Sequence, residues 1–177
     1  MPTIELPDPS LVVLVGAAGA GKSTFAARHF SPDDVLSSDA FRALVSGDEA
    51  DQRATRRAFG ILHRELTRRL AAGRLTVVDA TSVLAHARHA LLRRSRQAGV
   101  PAVALVLDLP AEVVLRRNVN RVGRSVDPTV VEHQLSLLRV ALDDGRLRSE
   151  GFDAVVELRT TDQVDAVRVV RHARRPS

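Results

Sequence analysis

The sequence predicts an α/β fold, with one parallel sheet of five strands and helices covering both of its faces. Three observations carry this prediction. Short, wholly apolar runs recur, Leu11–Val15 and Ala102–Leu107 being the clearest, as strands buried on both faces require. Stretches of helical periodicity separate them, and that alternation implies parallel pairing through helical crossovers. The length, 177 residues, suits one domain with a full-sized core.

Taken in order, Leu11-Val12-Val13-Leu14-Val15 is the first strand, and a Gly-rich turn leads from it into a helix over about 22–29. A brief strand, Val35-Leu36-Ser37, runs into Asp39 and a helix that begins Ala40-Phe41-Arg42. A long amphipathic helix covers about 51–72 and is stopped by Gly73. Leu75–Asp79 is the next strand, followed by a helix over about 84–97. Gly99 and Pro101 punctuate, and Ala102–Leu107 is again a buried strand. A helix from Ala111 runs into the Arg-rich stretch 116–124, and Pro128 opens another to about 142. Ala154–Leu158 is the last expected strand, with a helix from Asp162 towards Arg171. Residues 1–171 read as one domain whose segment at about 117–128 forms a lid, and 172–177 as a tail or the start of a linker.

Gly16-Ala17-Ala18-Gly19-Ala20-Gly21-Lys22-Ser23-Thr24 matches G-x-x-x-x-G-K-[ST], with the strand before and helix after that the motif needs. Glycines let backbone N–H groups curl around phosphate oxygens, Lys22 reaches the β- and γ-phosphates, and Ser23 ligates Mg²⁺. Gly16, Gly19, Gly21, Lys22, Ser23 and Thr24 are therefore the expected seat of ATP or another NTP with Mg²⁺. The fold class narrows to a P-loop NTPase of the phosphotransferase type. Lys and Arg together number 26, and Lys22 is the only lysine, so the other 25 are arginine. A compact ammonium fits between phosphates where a planar guanidinium does not.

Asp39 follows the second strand, with Arg42 on the same helical face at i+3. Asp is a common N-cap. The carboxyl ends of parallel strands, however, form the ligand edge of such a sheet, which places Asp39 near the γ-phosphate. A carboxylate there can accept the proton of an attacking hydroxyl, with Arg42 holding a phosphate of the acceptor. Asp79 ends an apolar strand, as a Walker-B acid does, and is expected to act on the metal through water. Arg117, Arg121 and Arg124 form a third group, in which i, i+4 spacing puts Arg117 and Arg121 on one helical face. Arginines closing over a triphosphate neutralise transition-state charge, although a basic helix end also suits the macrodipole. The six histidines show no metal-ligand spacing with carboxylates, and the pairs Arg56-Arg57, Arg68-Arg69 and Arg93-Arg94 read as solvated helix faces.

The chain has no cysteine, which excludes disulfides, thiolate metal sites and cysteine nucleophiles together. No apolar run approaches the ~18 residues of a membrane span, so a cytoplasmic protein with no membrane contact is expected. A net charge of +5 favours polyanionic partners, nucleic acid first. Five Phe, with no Tyr or Trp, cannot build a stacking platform. Any polynucleotide contact should therefore be local, at an end, and carried by phosphates.

The phosphate loop through Ala26, Ser37–Arg42 and Asp48–Gln52 resemble the kinase domain of the bacterial polynucleotide kinase-phosphatase family. So do Leu75–Thr81, Arg117-Asn118, Arg121, Arg124 and Glu150-Gly151-Phe152. The resemblance implies transfer of an NTP γ-phosphate to a 5′-OH RNA or DNA end, in an enzyme whose kinase is joined to phosphatase and ligase modules. An RNA 3′-end methyltransferase is a further implied partner. By position, Lys22 and Ser23 serve the phosphates and metal, and Asp39 is the general base. Arg42 grips the acceptor, Arg117, Arg121 and Arg124 clamp the donor, and Gln52 and Val130 help form the acceptor pocket. Two positions depart from the family pattern. Ser82 follows Asp79-Ala80-Thr81 where the family has Asn, and Ala40 follows the base where the family has an aromatic. The alternative is a P-loop kinase of a small hydroxyl-bearing metabolite. A GTPase switch is excluded, because its Asn-Lys-x-Asp motif needs a second lysine. A silent nucleic-acid-binding module fits poorly with so few aromatics.

Overall fold

The computed structural model describes residues 2–45, 52–123 and 125–173, without the side chains of 52–54. In chain order the first elements are β1 (Thr3–Asp8), β2 (Leu11–Val15), α1 (Lys22–His29), β3 (Val35–Ser37), α2 (Ser38–Val45) and α3 (Gln52–Ala71). Next come β4 (Thr76–Asp79), α4 (Ala85–Ala98), β5 (Ala102–Leu107), α5 (Ala111–Val119) and α6 (Pro128–Asp143). The last are α7 (Arg146–Ser149), β6 (Ala154–Leu158), α8 (Thr161–Ala166) and β7 (Arg168–Ala173).

The five expected strands form one sheet in the order β3-β4-β2-β5-β6, and every pair is parallel. β2 and β5 are buried on both faces, so their alternate side chains enter two cores. Val12, Leu14, Val103 and Leu105 pack with Phe25 of α1, Val114 of α5 and Leu6 of β1. Leu11, Val13, Ala104 and Val106 pack with Leu62 and Leu66 of α3, Leu91 of α4 and Leu138 of α6. The chain passes from β2 to one side of the sheet and later returns to the other. The strand order therefore reverses at the carboxyl end of β2, where ligands bind in open α/β sheets. The Gly-rich turn sits there.

Three expectations need correction. The helix expected from Asp162 to Arg171 stops at Ala166, and the chain then forms β7, parallel to an unexpected β1 with Thr3 opposite Arg168. Thr160 caps α8 by accepting from the Gln163 N–H at 3.1 Å, and Val167 turns extended. Pairing with β1 lets Ile4, Leu6, Val164 and Val167 share one apolar cluster, which a continued helix would break up. β7 also takes His172 and Ala173, read above as the start of a tail. Second, α5 ends at Val119, so Arg121 lies beyond the helix rather than one turn below Arg117 on it. The buried Asn118 ends that helix: its amide donates to the Val126 carbonyl at 2.6 Å and its oxygen accepts from the Val126 N–H at 3.0 Å. Third, α2 starts at Ser38, so Asp39 stands in its first turn.

Candidate active site

The turn from β2 to α1 works by backbone shape. Gly19 and Gly21 have φ of +89° and +95°, which L side chains rarely adopt. A Cβ on Gly19 would also meet the Val114 carbonyl oxygen at 2.6 Å, so the turn lies directly against α5. Lys22 is the first residue of α1, and its buried Nζ donates to the carbonyls of Gly16 and Ala17, both at 2.9 Å. Burial pushes its ammonium down from the usual range to about 8. Asp79 opposes that fall, Arg121 adds to it and Asp39 opposes it.

Asp79, at the carboxyl end of β4, accepts from Ser23 Oγ at 2.6 Å. The pair sits beside the phosphate loop as a hydroxyl and a carboxylate, the hard oxygen donors that Mg²⁺ takes. In the first turn of α2, Asp39 forms an ion pair with Arg42, both side chains about one third exposed. Arg42 thus lies against Asp39, and its Nε is buried without a partner.

These groups line one cavity of about 760 Å³, together with Thr81, Arg117, Arg121 and Val130. Arg117 and Arg121 therefore meet at the site although they do not share a helix. Arg124 lies outside the described residues, and Gln52 begins α3 with its side chain outside them. The positive-φ glycines, the ammonium bonded to carbonyls alone and the cavity volume all fit a nucleoside triphosphate. The Ser23–Asp79 pair fits its metal.

Several residues at the site gave no signal in the sequence. Arg88 of α4 is 1% exposed and binds Glu150 through Nε and Nη2, at 2.7 and 2.5 Å. Its Nη1 donates to the carbonyls of Ser82 at 2.9 Å and Val83 at 2.7 Å. That clamp holds the loop after Asp79, in which Ser82 has φ of +49° and the Thr81 carbonyl accepts from the Gly16 N–H at 3.0 Å. Gln134 of α6 accepts from the Ala18 N–H at 2.8 Å. At the far end of the cavity, Arg28 of α1 pairs with Asp165 of α8 at 2.8 Å. Separations of 62, 116 and 137 residues hide these three contacts from any local reading.

A family model described as the AAA domain matches residues 11–143, which span the sheet from β2 through α6. The chain belongs to the AAA-domain family. This member has the P-loop kinase fold. A chain of the Pnkp1/Rnl/Hen1 RNA repair complex superimposes with a TM-score of 0.67 and 22% identity, over 78% of this chain and 47% of that one. The present chain thus spans about half the length of that neighbour. Shikimate kinase from Acinetobacter baumannii, solved with shikimate, gives a TM-score of 0.55 and 23% identity over 89% and 88% of the two chains. The APS kinase CysC of Mycobacterium tuberculosis, solved with AMPPNP and APS, gives 0.53 and 19% over 86% and 90%. No curated protein matches the sequence. Among the described residues, no helix is long and apolar enough to cross a membrane.

Proposed function

We propose that this AAA-domain protein is a polynucleotide 5′-hydroxyl kinase, moving the γ-phosphate of ATP or another NTP to the 5′-OH end of RNA or DNA. The observation that carries this reading is the Asp39–Arg42 pair on α2, facing the cavity that Lys22, Arg117 and Arg121 also line. A base is needed at the attacking hydroxyl. An arginine touching that base suits an acceptor with a fixed anion beside its hydroxyl, as the first phosphate of a polynucleotide is. When the acceptor arrives, Arg42 passes from Asp39 to that phosphate and leaves Asp39 free to take the proton. A bond forms between the 5′-oxygen and the γ-phosphorus, the bond to the β–γ bridging oxygen breaks, and the hydroxyl proton goes to Asp39.

Lys22, Arg117 and Arg121 neutralise the charge that develops on the transferred group. Ser23, and Asp79 through water, would hold Mg²⁺, which when bound offsets the charge of the β- and γ-phosphates. Gln52 and Val130 complete the acceptor pocket, and Arg124 the donor clamp. In this reading residues 1–171 are the kinase domain of a cytoplasmic enzyme that works with phosphatase and ligase modules and an RNA 3′-end methyltransferase. The likeness to a chain of an RNA repair complex supports the presence of partner modules. A second reading, a kinase of a small metabolite, is favoured by one observation: this chain spans 88% of shikimate kinase.

Transfer from γ-labelled ATP to matched 5′-OH RNA and DNA oligomers, set beside shikimate, gluconate and other small hydroxyl acceptors, separates the two. Labelled oligomer with little labelled metabolite is expected. Labelled metabolite alone would overturn the polynucleotide reading.

A further inference from the structure

The excess positive charge of this chain is unevenly placed. Around α1 and the C-terminal elements, most surface arginines are ion-paired, Arg28 with Asp165, Arg148 and Arg159 with Glu157, and Arg171 with Asp34, Arg168 being an exception. The outer surface of α3 and α4 differs. Helix α4 contains no Asp or Glu, and the one acid of α3, Glu65, is occupied by Arg68 and Arg69.

Arg57, Arg64 and Arg93 are exposed and Arg94 is half-exposed, and none has a carboxylate partner among the described residues. The opposite faces of both helices enter the core through Leu62, Leu66, Leu91 and Leu92, so Arg57, Arg64 and Arg93 look outward from one helical layer. Arg94 lies at its edge, with Nη1 donating to the Ala90 carbonyl at 2.6 Å. The two helices pack against each other. His63 of α3 is pushed down to about 4 by its burial and by Arg94 and Arg93 of α4.

This face starts at the acceptor end of the cavity. α2, which carries Asp39 and Arg42, packs against α3, and α4 begins just after the loop that holds Thr81. Helix α5, which carries Arg117, packs on the other face of the sheet.

We propose that the α3–α4 face is a phosphate track for the acceptor strand downstream of its reacting end, with Arg57, Arg64, Arg93 and Arg94 meeting successive backbone phosphates. The proposal rests on the polynucleotide reading of the site. Arg57 and Arg64 are two helical turns apart, roughly 10 Å along α3, which spans more than one phosphate of a strand. The face reads charge and not sequence, because Phe59, the one Phe, Tyr or Trp of α3 and α4, packs against the core rather than on it. A small metabolite would gain nothing from it.

The test compares kcat/KM for a 5′-OH dinucleotide with that for a 5′-OH decamer in the full chain, at low and moderate salt. It uses wild type, Arg64→Glu/Arg93→Glu and the milder Arg64→Gln/Arg93→Gln. Both positions are exposed, and circular dichroism confirms the fold. Wild type should favour the decamer by about tenfold or more at low salt, and lose that advantage steeply as salt rises. Both double variants should bring the ratio close to one, and leave the dinucleotide and ATP values within about twofold. A decamer preference that persists in folded variants, or is missing from wild type, would overturn the track while the kinase assignment stands. If no oligomer is phosphorylated but a small metabolite is, the underlying reading fails.

Discussion

Lys22 is held where its own charge is disfavoured. Its folded pKa is about 8 against an ordinary 10.5, so between these values the unfolded chain binds more protons than the folded one. Without nucleotide, stability should therefore rise with pH through that window, and Lys22→Met should remove the rise in pH-dependent melting curves. A bound triphosphate favours the charged form, so kcat/KM for ATP should fall as pH passes above about 8. Lys22→Ala should abolish transfer while circular dichroism shows the fold retained. Retained activity above a few per cent would remove this loop from the mechanism. Asp39→Asn should nearly eliminate transfer at normal Mg-ATP affinity. Collapse of ATP binding instead would make Asp39 a metal-site residue. Arg42→Ala should lower kcat/KM for the acceptor by roughly 30- to 150-fold, about 2–3 kcal/mol, with the KM for ATP unmoved.

At the scale of elements, the loop between β4 and α4 carries the most tension between stability and use. Arg88 and Glu150 are buried together, 1% and 6% exposed, and Arg88 spends its remaining nitrogen on two loop carbonyls. Arg88→Met alone strands a buried carboxylate and should cost about 3–5 kcal/mol. Arg88→Met with Glu150→Met removes both charges and should regain most of that stability in denaturant titrations. The double variant still lacks the clamp on Ser82 and Val83, so its kcat should stay low at a nearly normal KM for ATP. Recovery of stability and kcat together would mean that the pair only holds the fold. The glycines and apolar strands of this region were legible locally. The Arg88–Glu150 pair was not, because Arg88 reads as one more basic helix residue until Glu150 is folded against it.

For the whole molecule, the β1–β7 pair ties the two ends of the chain together. A two-stranded sheet is marginal by itself, and this one is kept by Ile4 and Leu6 entering the same cluster as Val164 and Val167. Leu6 is fully buried, so Leu6→Ala should cost about 2–5 kcal/mol in chemical denaturation. Residues 3–8 do not line the cavity, so activity well below the melting transition should stay near wild type. A proportionate loss of activity in the folded variant would show that this pair also sets the position of α8 and its Asp165. The segment hid in the sequence because six residues alternating over one buried face carry little signal beside a 20-residue helix.

The sequence alone determined the five-stranded parallel sheet, the phosphate loop and the junction residues Asp39 and Asp79, because each follows from local periodicity or from a motif whose geometry is local. Tertiary structure decided where α5 and α8 end, since Asn118 finds Val126 and Val167 finds β1 only once the chain is packed. It also decided which arginines are neutralised and which are left in an unpaired face. Charge pairing depends on distance through space, and residues 137 apart, such as Arg28 and Asp165, become partners only in the folded chain.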